Sequence, residues 1–169
     1  VSKLPPSHFL RVGQETAVPE PQPYWSAQDV AVSAQDIRDD IDAVDRLGDA
    51  LDRAVGAQMV ADVPLGAFLS GGIDSSSVVA AMQRQSSVPV QTFTIGFSES
   101  AYDESGYAAE VAEVLGTNHT DLVVSPEDAI QVIPELPVIY NEPFADYSQI
   151  PTFLLSRMAR EHVTVALSG

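Results

Sequence analysis

Residues 67–82 read AFLSGGIDSSSVVAAM. An apolar segment turns through Ser70, Gly71 and Gly72, then an aspartate and three serines, into a second apolar segment. Paired glycines leave no Cβ between the backbone and a ligand. A helix starting behind them offers unpaired N–H groups and the positive end of its dipole. Ser70, Ser75 and Ser76 add hydroxyl donors. Together these groups can hold phosphate oxygens without a lysine. Asp74 is out of place beside phosphate alone, but it fits if Mg²⁺ bridges carboxylate and phosphate. The plainer reading of the same residues is a strand-to-helix turn with glycine at the bend and serine as helix cap. Neither G-x-x-x-x-G-K-[ST] nor G-x-G-x-x-G occurs here, so an ordinary P-loop or dinucleotide fingerprint is excluded at this turn.

The surrounding pattern says what positions the turn. Ile37, Ile41, Val44, Leu47, Leu51, Val55 and Met59 recur at helical steps, with Asp and Arg between them. The apolar run 63–69 is short enough to be a buried strand, and 76–85 is helical. Residues 88–97 are β-branched and aromatic, a strand; 103–116 is a helix ended by Gly116, and 119–124 is a further strand. Ser125, Pro126 and Asp128 open a helix as cap, first position and third-position acid. Pro134 and Pro137 should break it. Residues 141–151 form a polar loop, 150–161 a helix and 163–167 a last strand running into Ser168 and Gly169. Apolar strands alternating with helices predict an α/β fold, a parallel sheet with helices on both faces. Ligands bind such sheets at the carboxyl ends of the strands, where the Ser-Gly-Gly turn lies.

Composition narrows the partners. The 169 residues carry a net charge of −16, with eight lysines and arginines against 24 acids. Nucleic-acid binding needs clustered cations and is not expected. No apolar run is long enough to span a membrane. The chain has no cysteine, which removes disulfides, thiolate metal sites and a cysteine nucleophile and fits a cytoplasmic protein. Residues 1–35 hold Pro5, Pro6, Pro19, Pro21 and Pro23 and no helical period. They read as an extended linker with a short strand near 8–12 and with Tyr24 and Trp25 docked on the domain. His8, His119 and His162 have no metal-ligand spacing and read as structural. The acidic run 36–52 reads as a solvated helix face, and Asp103 and Glu104 as charges favouring a helix start. A chain beginning at Val1 has either lost its initiator Met or is a piece of something longer, and the second is expected.

LSGGIDSS resembles the pyrophosphate loop of the N-type ATP pyrophosphatases, a group that includes the GMP, NAD, argininosuccinate and asparagine synthetases. Three further stretches narrow the resemblance to the glutamine-hydrolysing asparagine synthetase family: FTIGFSESAYDESGYAAEVAEVLGTNHT (93–120), NEPFADYSQIPTFLLSRMARE (141–161) and VTVALSG (163–169). KLPPSHFL followed by YW is similar to the end of that family's glutaminase domain and its linker. The resemblance implies an adenine nucleotide alpha hydrolase-like fold, truncated here. Residues 1–35 would be linker and the end of the glutaminase domain, and 36–169 the first half of the ATP-binding synthetase domain.

The implied activity is an amide-forming ligation. ATP activates the side-chain carboxylate of aspartate as β-aspartyl-AMP with release of pyrophosphate, and ammonia derived from glutamine then attacks. By resemblance Ser70, Gly71, Gly72, Ser75 and Ser76 hold pyrophosphate, Asp74 takes Mg²⁺, Leu69 and Ile95 flank adenosine, and Ser168 and Gly169 close the pocket. Glu142, Asp146 and Ser148 are either a substrate loop or a solvated one. No catalytic residue is assigned within the chain. Two alternatives stand: a β-lactam-synthetase-like or other amidotransferase relative that adenylates another carboxylate, and a non-catalytic nucleotide-binding module. The glutaminase cysteine is absent, as are the acids that follow Gly169 in the family. The chain alone is therefore expected to make no asparagine, to bind nucleotide weakly at most, and to form a homodimer through apolar surface left uncovered.

Overall fold

The computed structural model describes residues 3–14, 19–32, 37–98, 105–141 and 145–169. It divides into two compact units, Val1–Val44 and Asp45–Gly169. In the first, β1 (His8–Phe9) pairs antiparallel with β2 (Gln22–Pro23), His8 opposite Pro23 and Phe9 opposite Gln22. The Tyr24 amide donates to the Ser7 carbonyl at 2.9 Å and extends this ladder. The expected strand at 8–12 is thus only two residues long, because Pro5, Pro6, Pro21 and Pro23 remove donors on either side. A six-residue helix, α1 (Ala27–Val32), stands where linker was expected. Within this unit Tyr24 is 70% and Trp25 52% exposed.

α2 (Asp40–Gln58) starts behind Asp39, whose carboxylate accepts from the Asp42 amide at 2.8 Å. Its apolar stripe divides: Leu51, Val55 and Met59 pack into the core, while Ile41, Val44 and Leu47 are exposed. Asp52 is tied to the Arg84 guanidinium. Asp42 is paired with Arg38 at 2.8 Å, so the acidic run is paired near its start as well as at its end.

The second unit is built on one four-stranded sheet. β3 (Leu65–Phe68), α3 (Ile73–Gln85), β4 (Gln91–Phe97), α4 (Ser105–Leu115) and β5 (Asn118–Val124) follow in turn. α5 (Pro126–Val132) begins at Ser125 with the expected capping box. As expected, α5 ends at Val132, just before Pro134, but the helical path resumes beyond it. Pro134 and Pro137 each sit in the first turn of a new short segment, a 3-10 turn at Ile133–Glu135 and α6 (Leu136–Tyr140), where a missing N–H costs nothing. Asn141, left-handed at φ 57°, ends it. α7 (Gln149–Ala159) and β6 (Val165–Leu167) complete the unit.

The strand order is β5-β4-β3-β6, all parallel. Side chains alternate across it. Ala67 and Leu69 join Val79 and Met82 of α3, Ala108 and Ala112 of α4 and Val55 of α2 on one face. Phe93 meets Ala159 and Val163 on the other, where Val124, Val132 and Leu154 also cluster with Ile95. Both faces are covered, as the unbroken apolar strands require. The order also reverses at β3: the chain first runs outward to β4 and β5, then returns to β6 on the opposite side. The carboxyl ends of β3 and β6 therefore border a topological switch point, the crevice where such sheets take ligands. No helix among the described residues is long and apolar enough to cross a membrane.

Candidate functional site

The loop after β3 is wound by its own serines. The Ser70 amide donates to Ser75 Oγ at 3.1 Å, the two hydroxyl oxygens lie 2.9 Å apart, and the Gly72 amide donates to Ser70 Oγ at 3.3 Å. Ser75 Oγ donates to the Gly72 carbonyl at 3.2 Å. Gly72 is the cap residue of α3, and no side chain caps that helix. Its first-turn N–H groups keep the capacity to bind an anion.

The two glycines differ. Gly71 has φ +77°, and a Cβ there would lie 2.8 Å from the Ala108 amide and the Tyr107 backbone. Its missing side chain makes room for α4. Gly72, exposed and extended at φ −71°, would meet only Ser70 Oγ at 3.3 Å. The open approach expected of the pair belongs to Gly72 alone.

A cavity of about 230 Å³ opens at the switch point, lined by Phe68, Leu69, Ser70, Ser75, Thr94, Ile95, Phe97, Leu155, Ser168 and Gly169. Six residues named from the sequence thus converge: Leu69, Ser70, Ser75, Ile95, Ser168 and Gly169. Gly169 is pressed against the first turn of α3, where a Cβ would lie 2.9 Å from the Ser75 amide. Phe68, Thr94, Phe97 and Leu155 were not foreseen. Phe97 ends β4, and its position at a strand's carboxyl end was a usable signal; Leu155 comes from α7, and no local pattern brings it here.

Other candidates lie elsewhere. Asp74 is exposed in the first turn of α3, beside the loop rather than in the cavity wall. Ser76 lines a separate groove between α3 and α4 with Ile73, Ala80, Glu110 and Val111, and its buried hydroxyl has no partner among the described residues. Ser148 borders a larger, mainly apolar cavity of about 600 Å³, lined also by Val124, Pro126, Tyr147 and Leu154, which shares Phe97 with the first. Asp146 borders neither. Its carboxylate accepts from the Ser148 amide at 2.8 Å and from the Ser148 hydroxyl at 2.7 Å, and these bonds hold it below the usual carboxylate range. Glu142, Asp103 and Glu104 lie outside the described residues.

Among the described residues, no cationic side chain lines the smaller cavity. Negative charge there would be met by amides, hydroxyls and the helix dipole. The described residues contain no cluster of three His, Cys, Asp or Glu side chains able to hold a metal. A single carboxylate, Asp74, fits Mg²⁺ carried chiefly by phosphate oxygens rather than by a protein cage. The histidines are occupied structurally: His8 Nδ1 lies 2.7 Å from the Pro6 carbonyl, His119 Nδ1 3.0 Å from Thr92 Oγ1, and the His162 ring against Phe93.

A protein-family model described as asparagine synthase matches residues 46–169. The chain is 38% identical over 126 residues to asparagine synthetase [glutamine-hydrolyzing] 1 of Bacillus subtilis, covering 75% of this chain and 20% of that protein. It is 35% identical over 144 residues to the amidase chyE of Penicillium rubens, covering 77% and 21%. Among solved structures, an NH3-dependent NAD synthetase from Campylobacter jejuni is similar at a TM-score of 0.46 and 15% identity, over 72% of this chain and 54% of that one. The chain spans about a fifth of the length of these curated relatives.

Proposed function

Since the chain belongs to the asparagine synthase family, we propose that it is the ATP-binding part of an amide-forming ligase that activates the side-chain carboxylate of aspartate. The observation that carries this reading is the switch-point cavity, in which Leu69, Ser70, Ser75, Ile95, Ser168 and Gly169 meet at the uncapped start of α3.

Leu69 and Ile95 flank the adenosine. Ser70, Ser75, Gly72 and the first-turn amides of α3 hold the pyrophosphate portion, with Gly71 setting the bend and Ser76 closing the turn toward α4. Ser168 and Gly169 close the pocket from the β6 side. Asp74 holds Mg²⁺, which when bound neutralises the departing pyrophosphate. A carboxylate oxygen of aspartate attacks the α-phosphorus and pyrophosphate leaves, giving β-aspartyl-AMP. Ammonia then attacks the acyl carbon and AMP leaves. The ammonia comes from glutamine, hydrolysed by a domain outside this chain. On this reading residues 1–35 are the end of that domain and its linker, and 36–169 the first half of the synthetase domain. The chain's contribution is positioning and charge stabilisation. Glu142, Asp146 and Ser148 form the loop nearest the acceptor, with Asp146 shaping it through Ser148. The cytoplasm, where the substrates are made, is the proposed compartment.

The likeness to a protein named an amidase favours a second reading, in which the same nucleotide site serves a different carboxylate. ATP–pyrophosphate exchange in a protein of the relatives' length separates the two. Exchange driven by aspartate, and abolished by Asp74→Asn, is expected. Exchange driven only by another carboxylic acid favours the second reading. No exchange with any acid, with nucleotide still bound, leaves a non-catalytic module.

A further inference from the structure

We propose that Thr94 is a phosphate-positioning residue, its hydroxyl donating to an oxygen of the nucleotide's pyrophosphate portion; this rests on the reading of the switch-point cavity as a nucleotide site. Thr94 is only 4% exposed, yet it lines that cavity alongside Ser70 and Ser75. Thr92, two residues earlier on the same face of β4, shows what an internal threonine does in this sheet. It is fully buried, and its hydroxyl lies 2.9 Å from Thr117 Oγ1 and 3.0 Å from His119 Nδ1. The Thr94 hydroxyl has no hydrogen-bond partner among the described residues, and it is not one of the wholly buried unpartnered atoms, which among the described residues are Ser76 Oγ and His119 Nε2. A threonine hydroxyl at a cavity wall with no protein partner can donate to an acceptor oxygen that a ligand brings.

The partner's chemistry follows from the surroundings. Thr94 stands beside Leu69, whose amide donates to the Phe93 carbonyl at 2.8 Å, so it lies on the loop side of the cavity. Ser70 and Ser75 are already bonded to each other and to the loop backbone. With no cationic side chain in the wall, a free hydroxyl donor beside them carries a larger share of an anion's charge than it would next to a lysine.

The test is calorimetric titration of the 169-residue chain and its Thr94→Val variant with Mg-ATP, with inorganic pyrophosphate and with adenosine. Valine keeps the shape and removes the hydroxyl. The expected result is about tenfold weaker binding of ATP and pyrophosphate, unchanged adenosine binding, a melting temperature of the free chain equal or higher, and recovery in Thr94→Ser. Equal ATP affinity in the variant overturns the proposal. So does a loss shared by adenosine, which would mean that Thr94 only packs. If Thr94→Val does not fold, Thr94→Ala is compared with Thr94→Ser by the same ratio of pyrophosphate to adenosine affinity. If the unaltered chain binds neither ATP nor pyrophosphate, the nucleotide reading fails and this inference with it; if it binds both and the variants do not differ, only the role of Thr94 fails.

Discussion

Gly71 and Gly72 are neighbours in sequence with different duties. Gly71 sits at φ +77° with the start of α4 in the space of its absent Cβ. Gly71→Ala is expected to lower the unfolding free energy by at least about 1–2 kcal/mol, the cost of a left-handed L-residue, before any displacement of α4. Gly72→Ala, at an extended φ with room for a methyl, should lose much less. Urea midpoints of the two variants check the order. His119 makes a second prediction at this scale. Burial pushes its imidazole below the usual range, against the opposing charge of Asp121, and its Nε2 is buried without a partner among the described residues. A histidine with a lowered folded pKa contributes stability that is full above its unfolded value, about 6.5, and is lost as pH falls through the folded one. The urea midpoint should therefore fall between pH 7 and pH 5. His119→Gln should flatten that slope, and an unchanged slope would show that other groups carry it.

Among the elements, α5 shows the tightest link from residue types to local structure. The Asp128 amide donates to Ser125 Oγ at 3.2 Å, and the Ser125 amide donates to Asp128 Oδ2 at 3.0 Å. The same carboxylate accepts the Ser125 hydroxyl at 2.7 Å, and these bonds hold it below the usual carboxylate range. Ser125→Ala should cost about 1 kcal/mol, measured by denaturant unfolding at pH 7. At acid pH, once the Asp128 carboxylate has taken up its proton below the usual carboxylate range, the difference should shrink, because the stabilisation is present above the unfolded pKa and lost below the folded one. This capping box was legible in the sequence because both partners lie within one turn. The path through Pro134 and Pro137 was not, since proline ends one helical segment and opens another with equal ease, and the packing of Val132 and Leu136 decides which.

For the whole molecule, the reversal of strand order at β3 matters most, because it leaves a crevice beside the strand that feeds the Ser-Gly-Gly loop. Among the described residues, those lining the cavity lie within 45–169, the unit that carries the four-stranded sheet and its hydrophobic clusters. A chain beginning at Asp45 keeps Leu51, Val55 and Met59, the α2 residues that pack on this core. It should unfold cooperatively and give the same result as the 169-residue chain when titrated with Mg-ATP. Circular dichroism melts and titration calorimetry check both points, and loss of binding with folding intact would assign residues 1–44 a part in the site.

The alternation of strands and helices, the parallel α/β class and the strand-to-helix turn at Ser70–Ser76 followed from sequence alone, because each rests on short-range physics: burial period, strand length, turn chemistry and helix capping. The tertiary structure decided which of those residues face one another. Gly71 serves the packing of α4, Ser76 turns toward that helix, and Thr94, Phe97 and Leu155 complete the cavity wall. None of that is local. It depends on strand order and on two helices distant in the chain, and a one-residue change of strand register would exchange Thr94 for Ile95 on the loop side of the sheet.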